Sequence, residues 1–309
     1  EGVVVEEVEN AISNAGNPNL KSYKVVADAA NALGALYIEE LFKKIPGELV
    51  KMNFELDGTF PSHQADPLQK ETLVDLQKKV VDEGADLGLA PDGDGDRLFF
   101  IDEKGGIVPP SIITALVARE VLKKHKGATI LGDIRYIMTP KKIVEELGGT
   151  FVITKVGHSF ITEKLHETGG VFAGESSSHY FFKETGNAES QIPMILLVLK
   201  VMTTEGKKLS EIVDSLRRSH ESGEYNFEVK NAKEVMAAFK SEFPEGEVSE
   251  LDGVSISFAD WRVSLRSSNT EPLLRLNVEV ELGGDIEGVK EEMISLVKKH
   301  AVFADEKTS

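Results

Sequence analysis

Residues 92–97 read Asp92-Gly93-Asp94-Gly95-Asp96-Arg97, set between the apolar runs Leu87-Gly88-Leu89-Ala90-Pro91 and Leu98-Phe99-Phe100-Ile101. The flanks predict two strands and the glycines predict a loose loop between them. Three carboxylates at alternate positions then face one another, and a divalent cation relieves their repulsion. Hard oxygen ligands without Cys or His select Mg2+ or Ca2+ over zinc. A calcium-binding helix–loop–helix is the first rival, because Asp92, Asp94, Asp96 and Glu103 match its positions 1, 3, 5 and 12. Its position 6 needs Gly for a sharp turn, and Arg97 stands there. Pro91 and the β-rich run 98–101 do not make bracketing helices either. A solvated acidic turn is the plainer alternative. The reading carried forward is a Mg2+ loop.

The chain has 309 residues, 41% hydrophobic and 28% charged, as in ordinary globular proteins of two or three domains. The longest apolar run, 192–201, is interrupted by Pro193 and Lys200 and falls short of the ~18 residues that span a bilayer. No membrane partner is expected, and residues 1–3 lack the basic start of a secretory signal. Cysteine is absent, which removes disulfides and thiolate metal sites and suits a cytoplasmic protein. A net charge of −17 argues against nucleic acid as a partner. A phosphate ligand would need cations gathered locally.

Outward from the acidic loop, strand-like and helix-like segments alternate. The first unit reads strand 24–28, helix 32–42, strand 49–54, helix 69–83 and strand 87–90, with Leu73, Leu76, Val80 and Val81 at helical spacing. Pro109-Pro110 marks a boundary. The alternation then restarts as helix 112–124, strand 128–133, helix 140–147, strand 150–154, helix 159–167 and strand 171–173, followed by helices 191–203 and 209–219. The second unit reads as a diverged copy of the first: Gly84…Asp92 in one and Gly169…Glu175 in the other bracket an apolar strand that ends in a polar loop. The third unit differs, with strand 225–230, helix 232–243, a hairpin of 254–258 and 261–266, strand 273–281 and helix 286–300. The expected fold is α/β: two tandem αβα domains with parallel or mixed sheets, 1–106 and 107–218, then a smaller α+β domain, 219–309. Ligands of such sheets gather at the carboxyl ends of the strands.

Two further loops carry chemistry. Gly174-Glu175-Ser176-Ser177-Ser178-His179 offers a carboxylate, three hydroxyls and an imidazole, a set suited to sugar hydroxyls, though also to a plain Ser-rich turn. Arg266-Ser267-Ser268-Asn269-Thr270-Glu271-Pro272 offers an Arg fork, hydroxyls and turn amides for a phosphate, or else an ordinary hairpin turn. His158 precedes a helix, where it could serve acid–base chemistry, bind an anion or simply sit beside the cap. Arg135 follows a strand as a phosphate or hydroxyl ligand or a solvated cation.

In this order, the loops resemble the α-D-phosphohexomutases, specifically the phosphomannomutase/phosphoglucomutase branch, over essentially the whole chain. The resemblance implies that Asp92, Asp94 and Asp96 hold Mg2+ with Arg97 beside the transferred phosphoryl group. It implies that Glu175 and Ser177 bind sugar hydroxyls, with His179 supporting their loop. Arg266, Ser268, Asn269 and Thr270 would grip the non-reacting phosphate. Arg135 and His158 fall where the family places basic groups near the acid–base chemistry. Asn269 favours the mannose/glucose enzymes over phosphoglucosamine mutases, which usually have Gly there. Ser176 and Ser178 depart from the usual Met and Gly of the sugar loop.

The family usually carries its donor phosphoserine in a first domain that this sequence does not match. Ser62, in Gly58-Thr59-Phe60-Pro61-Ser62-His63, better fits a second-domain segment. The implied activity is phosphoryl transfer between hexose 1-phosphate and hexose 6-phosphate through a bisphosphate, with glucose 1,6-bisphosphate activating the full-length enzyme. The donor domain would be cleaved away or separately encoded, leaving this chain nearly inactive. Hinge motion near 219–223 would admit the sugar. A non-catalytic phosphosugar-binding protein and a phosphoglucosamine mutase are the alternatives.

Overall fold

The computed structural model describes residues 2–268 and 273–303. Asn269 and Thr270 therefore lie outside the described residues. The first unit comprises α1 (Gly2–Asn14), β1 (Tyr23–Asp28), α2 (Gly34–Lys44), β2 (Gly47–Met52), α3 (Val74–Asp82), β3 (Leu87–Pro91), β4 (Leu98–Asp102) and β5 (Ile107–Val108). Its sheet has the order β2-β1-β3-β4-β5. The first three strands run parallel, and β4 and β5 turn back antiparallel. Every residue of β3 is buried, as expected of a strand covered on both faces.

The second unit comprises α4 (Pro110–Lys124), β6 (Thr129–Asp133), α5 (Met138–Glu146), β7 (Thr150–Thr154), α6 (His158–Thr168), β8 (Phe172–Gly174), β9 (Tyr180–Phe182), β10 (Ala188–Glu189), α7 (Ile192–Glu205) and α8 (Leu209–Leu216). Its sheet order, β7-β6-β8-β9-β10, is that of the first unit, again with three parallel strands and two antiparallel ones. The repeat read from the sequence is thus a repeat of topology. One core runs through both units. It includes Val8 of α1, Leu87 and Phe100 of the first sheet, Phe172 and Tyr180 of the second, and Ile195 and Leu199 of α7. Burial on this scale explains why α7 is apolar nearly all round.

The third unit comprises β11 (Ser219–Glu228), α9 (Ala232–Glu242), β12 (Glu247–Ser249), β13 (Val254–Ser257), β14 (Trp261–Ser267), β15 (Leu273–Glu281) and α10 (Ile286–His300). Its sheet, β11-β15-β14-β13-β12, is wholly antiparallel and packs a separate core around Phe239, Leu265, Leu276 and Met293.

Two expectations change. The helix expected at 209–219 stops at Leu216. The stretch 219–223, expected as a hinge, is strand: Ser219 pairs with Glu281 and is buried, with an irregularity between Glu221 and Glu224. Polar burial explains this. Glu279 of β15 accepts from Ser219 Oγ at 3.2 Å and from the amides of Ile137 and Met138 at 2.7 and 3.0 Å, at the start of α5. Arg262 of β14 donates to the carbonyls of Ile134 and Arg135, both at 2.8 Å. The third unit is therefore seated on the second by buried, hydrogen-bonded charge, which is costly to break.

Candidate functional site

The acidic stretch is a six-residue connection of a hairpin, since Pro91 pairs with Leu98 across it. Oxygens of Asp92, Asp94 and Asp96 lie within 4.8 Å of one another. Asp92 is buried, and its Oδ1 accepts the amides of Gly95 and Arg97, each at 3.1 Å, which curls the loop around that carboxylate. Burial, with the charges of Asp96 and Asp94, pushes the Asp92 carboxyl up to about 6 against the opposing bond from the Arg97 amide. An under-compensated carboxylate among two others is what a hard divalent cation would satisfy, so this donor set fits Mg2+. Glu103, the residue that a calcium loop would need, faces elsewhere: it accepts from the amide and hydroxyl of Ser210 at 3.1 and 2.6 Å, at the start of α8. Arg97 lies beside the loop, 3.5 Å from Asp92 and 3.6 Å from Asp66.

The hydroxyl-bearing loop occupies the equivalent place in the second unit, between β8 and β9. Its turn closes through Ser178 N to Glu175 O at 3.0 Å and Glu175 N to His179 O at 2.9 Å, with Ser178 at φ +70. Asp133, the last residue of β6, holds the loop from beneath. It accepts Ser176 N at 2.5 Å, Ser176 Oγ at 3.1 Å, and Arg135 Nε and Nη2 at 3.0 and 2.9 Å. Burial pushes the Asp133 carboxyl up, but Arg135 and these donors outweigh it and hold it below the usual range. Arg135 Nη2 also donates to Ser177 Oγ at 3.0 Å. Arg135 is thus a buried bracket of this loop rather than a solvated cation.

His179 joins the two loops. Its Nδ1 lies 2.8 Å from Glu175 Oε2 and its Nε2 lies 3.2 Å from Asp96 Oδ1. Burial lowers its basicity, yet the two carboxylates prevail and the imidazole is pushed up to about 9, so it is cationic at neutral pH. Its 3.3 Å approach to Arg97 Nε is then a contact between two donors, and the carboxylates hold the pair together. Leu98 N to Ser178 O at 3.3 Å and a short bond from Gln191 Nε2 to the Asp96 carbonyl complete the seam. A cavity of about 670 Å3 between α1, α4 and α7 reaches this seam at Glu189, whose carboxylate lies close to Asp96 and His179.

The remaining residues sit at the third unit's edge. His158 is exposed at the first position of α6. Its neighbour's amide, Gly157 N, donates to Glu175 Oε1 at 2.9 Å. Arg266 is buried on β14, with Nε bonded to Asp252 Oδ2 at 2.9 Å. Ser268 donates its amide to Leu273 O at 2.8 Å across the turn.

Three successive sequence models of known proteins match the chain: phosphoglucomutase/phosphomannomutase alpha/beta/alpha domain II over residues 5–106, alpha/beta/alpha domain III over 109–219, and the C-terminal domain over 224–296. The chain belongs to the phosphoglucomutase/phosphomannomutase family. It is 39% identical over 276 residues to a phosphomannomutase of Methanocaldococcus jannaschii, covering 89% of this chain and 62% of that protein. Against a phosphomannomutase of Vibrio cholerae the identity is 36% over 304 residues, 95% of this chain and 66% of that one. The crystal structure of a phosphoglucomutase/phosphomannomutase family protein from Burkholderia thailandensis matches with a TM-score of 0.85 at 30% identity, over 97% of this chain and 66% of that chain. An Aspergillus fumigatus N-acetylphosphoglucosamine mutase, solved with GlcNAc-6P and magnesium, shares the fold at a TM-score of 0.67 and 14% identity, over 97% and 65% of the two chains. This phosphohexomutase-family chain spans about three fifths of the length of the first curated relatives it matches, 62% and 61%.

Several residues that build the site of this family member escaped sequence reading. Asp133 was visible at the end of a parallel strand, but its role as the hub of the hydroxyl loop depends on Ser176, 43 positions away. Gln191 stands in the sequence only as the start of an expected helix. Asp252, in Leu251-Asp252-Gly253, carried no signal beyond a turn.

Proposed function

We propose that this chain supplies the metal-, sugar- and phosphate-binding parts of a phosphomannomutase/phosphoglucomutase. The reaction is interconversion of hexose 1-phosphate and hexose 6-phosphate through a bisphosphate, with the phosphoserine donor outside these 309 residues. The observation that carries the reading is His179, held between Asp96 and Glu175, because it brings the carboxylate loop and the hydroxyl loop into direct contact. Asp92, Asp94 and Asp96 would hold Mg2+, which when bound neutralises charge on a phosphoryl group. Arg97 offers a cation on the same rim. Glu175 Oε2 takes both His179 and, at 3.5 Å, Ser177 Oγ, while Oε1 accepts the Gly157 amide, so Oε1 retains capacity for a sugar hydroxyl. Ser177, fixed by Arg135, is a second hydroxyl partner. Arg266, with Ser268, Asn269 and Thr270, would take the distal phosphate, and His158 stands on the exposed segment between that arm and Glu175. The magnesium and phosphosugar in the Aspergillus title and the phosphomannomutase names of the bacterial and archaeal relatives support this assignment. The family resemblance further implies hexose phosphate chemistry and activation of the full-length enzyme by glucose 1,6-bisphosphate.

The test pairs binding with turnover. The 309-residue chain should bind Mg2+ in preference to Ca2+ and should bind mannose 1-phosphate or glucose 1-phosphate by calorimetry. Steady-state mutase turnover with added glucose 1,6-bisphosphate should stay at background. Robust turnover would place the donor within these residues, and no binding of either sugar phosphate in the presence of Mg2+ would remove the reading.

A further inference from the structure

Asp252 stands in the turn before β13, and a single one of its oxygens serves both Arg266 and the distant segment at Val156. Oδ2 accepts from Arg266 Nε at 2.9 Å and from the backbone amide of Val156 at 3.1 Å. The next amide of that segment, Gly157 N, is held by Glu175 Oε1 at 2.9 Å. Glu175 in turn holds His179 at 2.8 Å, and His179 holds Asp96 at 3.2 Å. An unbroken run of charge-assisted bonds and adjacent amides thus crosses from the third unit's guanidinium to the first unit's carboxylate loop.

The turn is built for this contact. Gly253 has φ +74, and a Cβ there would lie 2.1 Å from the carbonyl oxygen of Leu265 and 2.9 Å from Arg266 Cα. Only glycine lets the 252–253 turn lie flat against the strand that carries Arg266. Arg266 is buried, and its Nη1 has no hydrogen-bond partner among the described residues. A buried guanidinium nitrogen left without an acceptor is costly, and an anion oxygen would satisfy it.

Resting on the phosphosugar reading above, we propose that Asp252 is a positioning residue for the anion arm. It grips Arg266 by Nε, so that the remaining guanidinium edge is presented to the phosphate of a hexose phosphate. Through Val156 it ties that arm to the segment whose next amide orients Glu175. The sign of its effect is diagnostic. A carboxylate near an anion site repels the anion, so if Asp252 contributed charge alone, removing it would tighten binding. Positioning requires the opposite.

The experiment uses the full 309-residue chain with Mg2+ and mannose 1-phosphate, read by calorimetry, alongside amide exchange at Val156. Asp252→Ala should weaken mannose 1-phosphate by about tenfold, the scale of a lost charge-assisted bond. Asp252→Asn, isosteric and retaining one acceptor oxygen, should weaken it by about threefold and keeps the test open if the alanine variant does not fold. The Asp252→Ala/Arg266→Ala double variant should bind no more weakly than Arg266→Ala, since the two act as a unit. Val156 exchange should rise in Asp252→Ala without any sugar present. Glu250→Ala, which removes an exposed neighbour paired with Lys240, should change nothing. Unchanged or tighter binding in the Asp252 variants, or additive losses in the double variant, overturns the inference. Failure of the unmodified chain to bind mannose 1-phosphate overturns the functional reading instead, and Val156 exchange then decides on its own whether Asp252 anchors that segment.

Discussion

The first two units share a topology and diverge in their chemistry. In each, the central parallel strand ends in a buried aspartate, Asp28 or Asp133, that accepts the amide two residues on, Ala30 at 3.0 Å or Arg135 at 2.8 Å. In each, the next parallel strand delivers an acidic loop that returns antiparallel. The second unit neutralises its loop internally: Arg135 brackets Asp133 and Ser177, and His179 clasps Glu175. The first unit leaves its loop under-compensated, with Asp92 buried beside Asp94 and Asp96 and its carboxyl raised. It also holds four non-glycine residues, Ala30, Asn31, Asn53 and Phe60, at positive φ around that end of the sheet, a form of strain that collects at functional sites. One scaffold thus yields one loop held by its own bonds and one whose carboxylates are only partly compensated. The difference lies in how far the nearby cations compensate each loop: His179 holds Asp96 low, yet Asp92 stays raised.

The comparison breaks most sharply at Asp133. Asp133→Ala should leave Arg135 charged and buried without its bidentate partner and cost about 3–5 kcal/mol in urea denaturation; a loss under 1 kcal/mol would show that the bracket is not what holds the second loop. Asp94→Asn should behave oppositely. As an exposed loop residue it should alter stability by no more than about 0.5 kcal/mol, while calorimetric Mg2+ affinity falls at least about tenfold because a ligand charge is gone. The smallest effect concerns pH. The folded state raises the Asp92 carboxyl to about 6, above its ordinary value, so folding favours the proton there. In metal-free protein, Asp92 should therefore erode stability as pH rises from about 4 to about 6. Asp133, held low, contributes stability that is complete at ordinary acidic pH and is lost only as pH falls through its depressed value. Melting temperatures followed from pH 4 to pH 7 in EDTA should show Asp92→Asn gaining on the parent as pH rises, with added Mg2+ removing the difference. Parallel curves would count against an uncompensated charge.

Much of this was legible from residues alone. The apolar runs around 92–97 and their glycine spacing gave the hairpin, and the repeated Gly–strand–acid pattern gave the second copy. Local pattern failed where partners came from afar. Residues 219–223 read as a polar link after a helix, yet Ser219 is buried because Glu279 and Thr139 receive it from other elements. The first helix, Gly2–Asn14, lies outside the elements expected from sequence, although Val8 and Ala11 pack into the shared core. Arg135 was open between solvated cation and ligand, and only the position of Asp133 beneath Ser176 decided that it is a bracket.

By itself, the chain's order of apolar runs, glycines and one acidic triplet determined the α/β class and the duplication and pointed to three candidate loops, because strand alternation and carboxylate spacing are local properties. Which loop touches which was decided only by the tertiary structure. His179 meets Asp96 across 83 positions, and Asp252 meets Val156 across 96. Electrostatics depends on through-space distance and burial, and neither is written in the spacing of residues along the chain.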